Sequence, residues 1–278
     1  MSNSIKYRIL FFIFIIAAAW LRFSSLEIRP MHTDEAVHGI KFGQLLEEGI
    51  YRYDKYDYHG PTLNYFTLIP VVLREQSTLV ALDEITLRSI TAFFGVAMLL
   101  ILLMLKRVPG RRDLLWLAAF FSVAPMLVFY SRYYIQELLF VFFNLFFIFS
   151  AFNYLLHKKT GWIVAAGIFA GLMMATKETW IIFLGIQTVA FFLTLLKRIK
   201  FATLKQELFS FVRSLHFLVF MLSLALFYVT FYSSFFTWTE GVAESFKAFA
   251  GYFDRAGTED LHGHPWWYSP KERLRKCL

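Results

Sequence analysis

The sequence predicts an all-α protein that crosses a membrane several times, and three observations lead to this fold class. Of its 278 residues, 58% are hydrophobic and only 17% are charged, whereas a soluble domain carries about 25% charged residues. The apolar residues form seven long runs, and the basic residues gather in the segments between alternate runs. These features exclude a soluble, disordered or fibrous chain. The single cysteine, Cys277, allows neither an intramolecular disulfide nor a cysteine-based metal site.

Seven runs are predicted to cross the membrane, because each crossing needs about 20 mostly apolar residues. The first run is short and extends only by including Tyr7, Arg8 and Arg22, whose long side chains can reach the head groups. Because six further runs follow and no cleavage site of small residues is present, it is predicted to be a retained helix. The runs cover residues 9–21, 89–105, 114–131, 138–156, 160–176, 179–196 and 215–239.

An eighth apolar segment, within residues 60–73, decides the topology and is predicted to lie on the membrane surface. It is too short to cross, and it contains Pro61 and Pro70. If this segment does not cross, the basic residues of segments 6–8, 106–112, 158–159 and 197–213 all fall on one side of the membrane. Because basic residues are enriched in cytoplasmic loops, this side and the N-terminus are predicted to be cytoplasmic. The net charge of +8 is therefore a topology signal and not an indication of nucleic acid.

This topology leaves two long stretches outside the membrane, residues 24–84 and 237–278. All other loops are short, so function is expected in these two stretches. Two surface helices are predicted in the first stretch, over residues 34–48 and 62–73.

The first of these helices begins in the segment His-Thr-Asp-Glu-Ala-Val-His, with Thr33 or Asp34 as its predicted N-cap. Asp34 and Glu35 then lie in the first turn, where the positive end of the helix dipole favours ionised carboxylates. Plain capping would explain two acids here. The neighbouring His32 and His38 favour a functional site instead, since His38 follows Asp34 by one turn and shares its face.

Further polar residues lie where predicted helices meet the outer face: Arg132 with Glu137, and Lys177 with Glu178. Ionisable residues at membrane depth are costly and mark functional sites, although charges in an interfacial turn would be solvated cheaply. Arg132 and Lys177 supply cations for an anionic group such as a phosphate. His59 follows a run of tyrosines, which suit either anchoring at the interface or stacking on a sugar ring.

A divalent metal site is a competing hypothesis for this outer face. Imidazole and carboxylate groups from the two outer stretches would suit zinc or manganese. The candidate ligands are His32, Asp34, His38, His262 and His264.

Taken together, these motifs resemble the N-terminal module of the GT-C membrane glycosyltransferases, the superfamily of protein O-mannosyltransferases and the lipid A aminoarabinose transferase. The His-Thr-Asp-Glu-Ala-Val-His, His-Gly-Pro and His-Gly-His-Pro-Trp-Trp segments most resemble the flippase-activity-associated proteins linked to archaeal N-glycosylation and their bacterial relatives. In that superfamily an Asp-Glu pair follows the first helix, and a lysine ends a later helix in a Thr-Lys pattern. Asp34-Glu35 and Thr176-Lys177 match these two features.

The resemblance implies an enzyme that transfers a sugar, with inversion, from a polyprenyl phosphate to a hydroxyl or amide of a glycan, lipid or protein. The site would lie at the outer face of the cell membrane. Asp34, with Glu35 beside it, is expected at the catalytic position, because an acceptor hydroxyl needs a general base. Lys177 and Arg132 are expected to meet the charge on the leaving phosphate. Substrate-binding roles are expected for His38, His59, Arg132, Glu137, Lys177 and His264.

Relatives in this superfamily continue into further transmembrane helices, so residues 1–278 are expected to form one module without the C-terminal helices of longer relatives. Two other classes compete with an enzyme: a flippase for polyprenyl-linked sugar, and a non-catalytic subunit that presents such a lipid. A flippase would carry ionisable residues near mid-bilayer or paired broken helices. The acids of this sequence cluster at one face instead.

Overall fold

The computed structural model describes residues 3–56, 59–104, 110–196 and 201–257, and within these ranges it contains helices, turns and loops but no strand. A short 3₁₀ helix, Leu79–Ala81, lies between the third and fourth α-helices. In chain order the α-helices of the described ranges are α1 (Asn3–Phe23), α2 (Thr33–Glu48), α3 (Thr62–Leu73), α4 (Glu84–Met104), α5 (Arg111–Val123), α6 (Pro125–Ser131), α7 (Glu137–His157), α8 (Thr160–Met174), α9 (Trp180–Leu196), α10 (Phe201–Val212), α11 (Leu215–Tyr232) and α12 (Glu240–Gly257).

The seven predicted spans coincide with α1, α4, the α5–α6 pair, α7, α8, α9 and α11. In the part of the chain that the structure describes, three helices are long and apolar enough to cross a membrane: Glu84–Leu102, Glu137–His157 and Leu215–Tyr232. The bent pair α5–α6 makes a fourth if it is one span. Helices α8 and α9 are apolar but have only 15 and 17 residues. The chain is therefore a helical membrane protein, and seven crossings stay a prediction.

Two of the predicted spans differ from a single continuous helix. The run over residues 114–131 is not one straight helix, because α5 and α6 meet at Ala124 with a bend of 53°. Pro125 has no N–H for the helical ladder, and it disfavours helical backbone at the residue before it. In the run over residues 215–239 the helix ends at Tyr232, since three residues that follow it have positive φ: Ser234, Phe235 and Phe236.

The two helices predicted in the first long loop are confirmed as α2 and α3, and their position on the membrane surface stays a prediction. The predicted N-cap of α2 is corrected from Thr33 or Asp34 to His32. The His32 Nδ1 accepts the Asp34 N–H at 3.3 Å, and the Glu35 carboxylate accepts the His32 N–H at 3.0 Å. An imidazole nitrogen can therefore fill the acceptor role that serine or aspartate usually has at this position.

The sequence analysis missed two helices, α10 and α12. Helix α12 lies in the second predicted outer stretch and packs beside α11. Tyr228 of α11 and Ser245 of α12 share a hydrogen bond of 2.6 Å, and the Trp180 ring stacks on Phe249 at 5.9 Å. The described start of this stretch is thus an ordered helix against the bundle.

An aromatic core supports the end of the bundle where α2 and α3 lie. Phe42, Leu63, Phe94 and Phe143 are all at most 4% exposed and belong to one packed cluster. Such rings bury large areas and pack edge to face, as Phe94 does on Phe143. Because residues of α2 and α3 belong to this core, the core holds in place the two helices that carry polar residues of the first loop.

Candidate active site

The two acids at the start of α2 have opposite surroundings, and Glu35 is the buried one. Its carboxylate lies against the Arg88 guanidinium of α4, with Nε to Oε1 at 2.8 Å and Nη2 to Oε2 at 2.9 Å. Arg29 Nη2 donates to Oε2 at 2.8 Å. The N–H groups of His32 and Tyr134 donate at 3.0 and 2.9 Å. Both Glu35 oxygens are therefore fully engaged within the protein.

These contacts determine the charge of Glu35. Burial acts to raise its pKa, but the hydrogen bonds from Arg88, His32 and Tyr134 outweigh burial and hold the pKa below its usual value. The ionised carboxylate joins the loop after α1, helix α4 and the segment before α7. This placement makes Glu35 a connection between three parts of the fold.

Asp34 is exposed, with 60% of its side chain accessible. The Tyr133 hydroxyl donates to Asp34 Oδ2 at 2.9 Å and lies 2.6 Å from His32 Nδ1. Burial and the Asp34 charge raise the pKa of Tyr133, so the phenol keeps the proton that it donates. No group in the described ranges donates a hydrogen bond to Asp34 Oδ1. One oxygen of this carboxylate is thus held in place while the other is available to accept a proton.

His38 follows Asp34 by one helical turn and is only 9% exposed. Its ring stacks on the His59 ring, with centroids 5.9 Å apart, and Gln136 Nε2 lies 3.3 Å from its Nδ1. Burial and the nearby His59 lower the pKa of His38 to about 4, against the opposing fields of Glu137 and Asp34. His38 is therefore uncharged at neutral pH, and its ring can donate or accept a hydrogen bond.

His59 is brought to this site by the close approach of the start of α3 to the end of α8. The Gly60 N–H donates to the Thr176 carbonyl at 3.1 Å. A Cβ on Gly60 would collide with the Ala175 carbonyl, so the approach requires glycine. As a result His59 Nδ1 lies 3.0 Å from Glu178 Oε2.

The loop after α8 also supplies Lys177, whose ammonium lies 2.6 Å from Glu137 Oε1 at the start of α7. Both side chains are partly exposed, at 19% for Lys177 and 32% for Glu137. Their charges act on His38, as does that of Asp34. The structure therefore places five of the predicted site residues in one cluster at an end of the bundle: Asp34, His38, His59, Glu137 and Lys177.

Arg132 is engaged with backbone carbonyls. Its Nη1 donates to the carbonyls of Leu21 and Ser24 at 2.9 and 2.6 Å, and its Nη2 donates to that of Ser25 at 3.0 Å. The last carbonyls of a helix have no partner within it, and a cation is favourable at that end. These contacts cap the C-terminal end of α1, and a phosphate at Arg132 would compete with three carbonyl groups.

Two predicted residues, His262 and His264, lie outside the described residues. Within residues 3–257, leaving aside the gaps given above, no three His, Cys, Asp or Glu side chains are placed together to hold a metal ion. The divalent-cation hypothesis therefore stays a prediction.

A cavity of about 560 Å³ adjoins the cluster and runs along α2. Its helical wall has residues spaced three or four apart, which share one face of α2. The other wall is formed by the chain after α2. The lining residues are Val37, His38, Lys41, Gln44, Glu48, Ile50, Tyr51, Arg52, Asp54, Tyr56 and His59.

Three residues that hold the site were not predicted from the sequence: Tyr133, Arg88 and Arg29. Arg88 had a usable signal, because it directly precedes the predicted span 89–105 and a cation there needs a partner. Tyr133 had none, because a tyrosine at an interface is ordinary and its partner lies 99 residues away in the sequence. The Arg29 guanidinium lies 4.9 Å from the Tyr133 ring centroid, a contact that only the fold creates.

The fold of this chain is similar to that of a chain in the S. cerevisiae protein O-mannosyltransferase Pmt1–Pmt2 complex bound to the sugar donor, with a TM-score of 0.60 and 18% sequence identity. The match covers 87% of this chain, and this chain spans about a third, 36%, of the matched chain. No family model and no curated protein sequence matches. The chain is thus a helical membrane protein whose fold is similar to that of a chain of this mannosyltransferase complex.

Proposed function

We propose that this protein is an integral membrane glycosyltransferase that transfers a sugar from a polyprenyl phosphate to an acceptor hydroxyl or amide, with inversion. The observation that carries the proposal is Asp34, an accessible carboxylate at a helix N-terminus whose charge, like that of Lys177, acts on His38. A fold similar to that of a mannosyltransferase complex bound to its sugar donor supports it. The distribution of basic residues supports an extracytoplasmic position for this site.

In the proposed reaction the acceptor oxygen attacks the anomeric carbon while the bond from that carbon to the phosphate oxygen breaks. The acceptor proton passes to Asp34 Oδ1, and Tyr133 holds Oδ2 throughout. A positioned general base contributes about 10²- to 10⁴-fold to such a rate. Glu35 has no free oxygen for this task, so its part is to position the loop that carries Asp34.

The leaving phosphate gains negative charge, and Lys177 is the cation proposed to meet it. An ammonium has three donors, so Lys177 can keep its bond to Glu137 and still donate to a phosphate oxygen. Arg132 is left out of this role because it caps α1.

The hydroxyl groups of the transferred sugar would be bound by Glu137, His38 and His59. Glu137 Oε2 and Glu178 Oε1 are buried and have no hydrogen-bond donor among the described residues. Buried oxygens of this kind normally have a donor, and sugar hydroxyl groups are donors of the right size. The uncharged His38 ring adds a group that can donate or accept.

The test is transfer of radiolabelled mannose or glucose from a polyprenyl phosphate by the full chain in proteoliposomes. We expect Asp34→Asn to lower the rate by about 10²- to 10⁴-fold without changing membrane insertion or the unfolding temperature. Glu27→Gln is the matched control, because Glu27 is an exposed acid of the same loop. A second series with EDTA and added Mn²⁺ tests the divalent-cation hypothesis.

Full activity of Asp34→Asn would refute the assignment of the base. Translocation of the lipid-linked sugar across the vesicle membrane without transfer would refute the enzyme and favour a flippase. Binding of the lipid-linked sugar without either activity would favour an accessory subunit.

A further inference from the structure

The cavity beside α2 extends well beyond His38 and His59, the two lining residues that are assigned to the transferred sugar. At a rise of 1.5 Å per residue, its helical wall from Val37 to Glu48 is roughly 17 Å long. Asp34 precedes this wall by one turn of the same helix. The volume of about 560 Å³ is within the range of ligand sites, about 300–1,000 Å³. The space is therefore large enough for a ligand that extends well beyond one reacting group.

Among the described residues of the lining, the basic and acidic side chains are equal in number. Two basic side chains, Lys41 and Arg52, are matched by two acidic ones, Glu48 and Asp54. Arg52 and Glu48 form an ion pair of 3.1 Å. An anionic or cationic ligand would meet like charges in such a lining, whereas a neutral ligand with many hydrogen-bonding groups would find both donors and acceptors.

The lining suits a carbohydrate better than a peptide. Carboxylate, amide and guanidinium groups bond to neighbouring sugar hydroxyls, and the Tyr56 ring, 76% exposed, offers a flat face for a sugar ring. An extended peptide is usually recognised by a free strand edge or by apolar pockets. The backbone of α2 is bonded within its helix, and the Tyr51 N–H is taken by Ser234 Oγ at 2.9 Å.

We propose that this cavity binds the acceptor and that the acceptor is a neutral glycan. The glycan lies along α2 and places its reacting hydroxyl at the Asp34 end. The term acceptor rests on the proposed function, whereas binding of a neutral oligosaccharide requires no transfer and can be measured separately.

The first experiment measures binding of maltotriose and chitotriose to the full chain in nanodiscs by saturation-transfer NMR, without a donor. Gln44→Trp places a large ring in the cavity from its helical wall. Ile40→Trp adds the same ring to an exposed position of α2 outside the cavity. We expect the wild type and Ile40→Trp to bind at least one of the two sugars and Gln44→Trp to bind it at least ten-fold more weakly.

A second variant does not disturb the helix. Tyr56→Ala removes an exposed ring and keeps the backbone hydrogen bond from residue 56 to Asp54 Oδ1. We expect binding to weaken about three- to ten-fold, as loss of an aromatic contact implies. Tyr56→Trp is expected to restore it.

Absence of binding to the wild type, or equal binding by the wild type and Gln44→Trp, would overturn the proposal. Saturable binding of a serine-rich peptide that Gln44→Trp blocks, with no sugar bound, would overturn the glycan assignment. If the protein transfers sugar to the bound oligosaccharide, Gln44→Trp must raise the acceptor KM and leave the donor KM unchanged. Sugar binding blocked by Gln44→Trp, without transfer from any donor, would refute the proposed function and support the glycan site.

Discussion

Helix α2 has an inner and an outer face that meet different demands, and its first two acids divide between them. Glu35 is on the inner face with Phe42, and both are completely buried. Asp34 is on the outer face, where 60% of its side chain is accessible. Consecutive residues of an α-helix point about 100° apart, because one turn takes 3.6 residues. Because only one side of α2 faces the bundle, one of two neighbouring carboxylates is buried and the other stays accessible.

The difference shows how one short segment can both hold a fold and carry chemistry. Glu35 receives hydrogen bonds from two arginines and two backbone N–H groups, so it anchors the loop. Asp34 keeps an open oxygen because its neighbours occupy only the other one. This separation of a structural role from a chemical role can be tested by four measurements, from the largest expected effect to the smallest.

The largest effect is expected on stability at the inner face. Glu35→Ala leaves Arg88 buried without its partner and should lower the free energy of unfolding by about 3–5 kcal/mol. Asp34→Ala should leave it within about 0.5 kcal/mol of the wild type, as for most exposed positions. Denaturation of both variants in the same detergent measures the contrast, and equal losses would refute the division between the faces.

The close contact between the start of α3 and the end of α8, which positions His59, should depend on Gly60. Gly60→Ala forces a Cβ against the Ala175 carbonyl and should lower the free energy of unfolding by about 1–3 kcal/mol. The transfer rate should fall as well, because His59 and Lys177 then shift. Gly161→Ala in α8 is the control, since a Cβ there meets nothing within 4 Å. A Gly60→Ala variant with wild-type stability and rate would contradict this account.

His38 should make stability depend on pH. Its pKa is about 4 in the folded protein and near its usual 6.5 when unfolded, so the unfolded chain binds the proton first as pH falls. The stabilisation is fully present above pH 6.5, and about 2 kcal/mol of it should be lost by pH 5. Comparing thermal unfolding of the wild type and His38→Gln at pH 7.5 and 5.0 isolates the contribution of His38 to the pH dependence of stability. An equal pH dependence in both would count against a buried, uncharged His38.

The smallest effect is expected at the outer face. Tyr133→Phe removes the hydroxyl that holds Asp34 Oδ2 and should lower kcat about ten-fold, the equivalent of one hydrogen bond to a charged group. The donor KM should not change. A Tyr133→Phe variant that keeps the wild-type kcat, or in which only the donor KM changes, would contradict this role of Tyr133.

Much of the fold could be predicted from the sequence because apolar runs and surface helices are local patterns. The runs became helices, and α2 and α3 were located to within a residue or so. The bend at Ala124 was also readable, since Pro125 acts on its own neighbour. Helix α12 was missed because it is amphipathic, so that polar residues of its other face interrupt the apolar run in the sequence.

The sequence by itself determined that this is a helical membrane protein and that an acidic pair begins α2. It also marked Lys177, Glu137, His38 and His59 as residues of interest. Only the tertiary structure decided that Glu35 is saturated, that Arg132 caps α1 and that Tyr133 holds Asp34. The physical reason is distance along the chain, since these partners come from segments brought together by packing. Composition and spacing report which groups are present, whereas packing decides which of their atoms remain free.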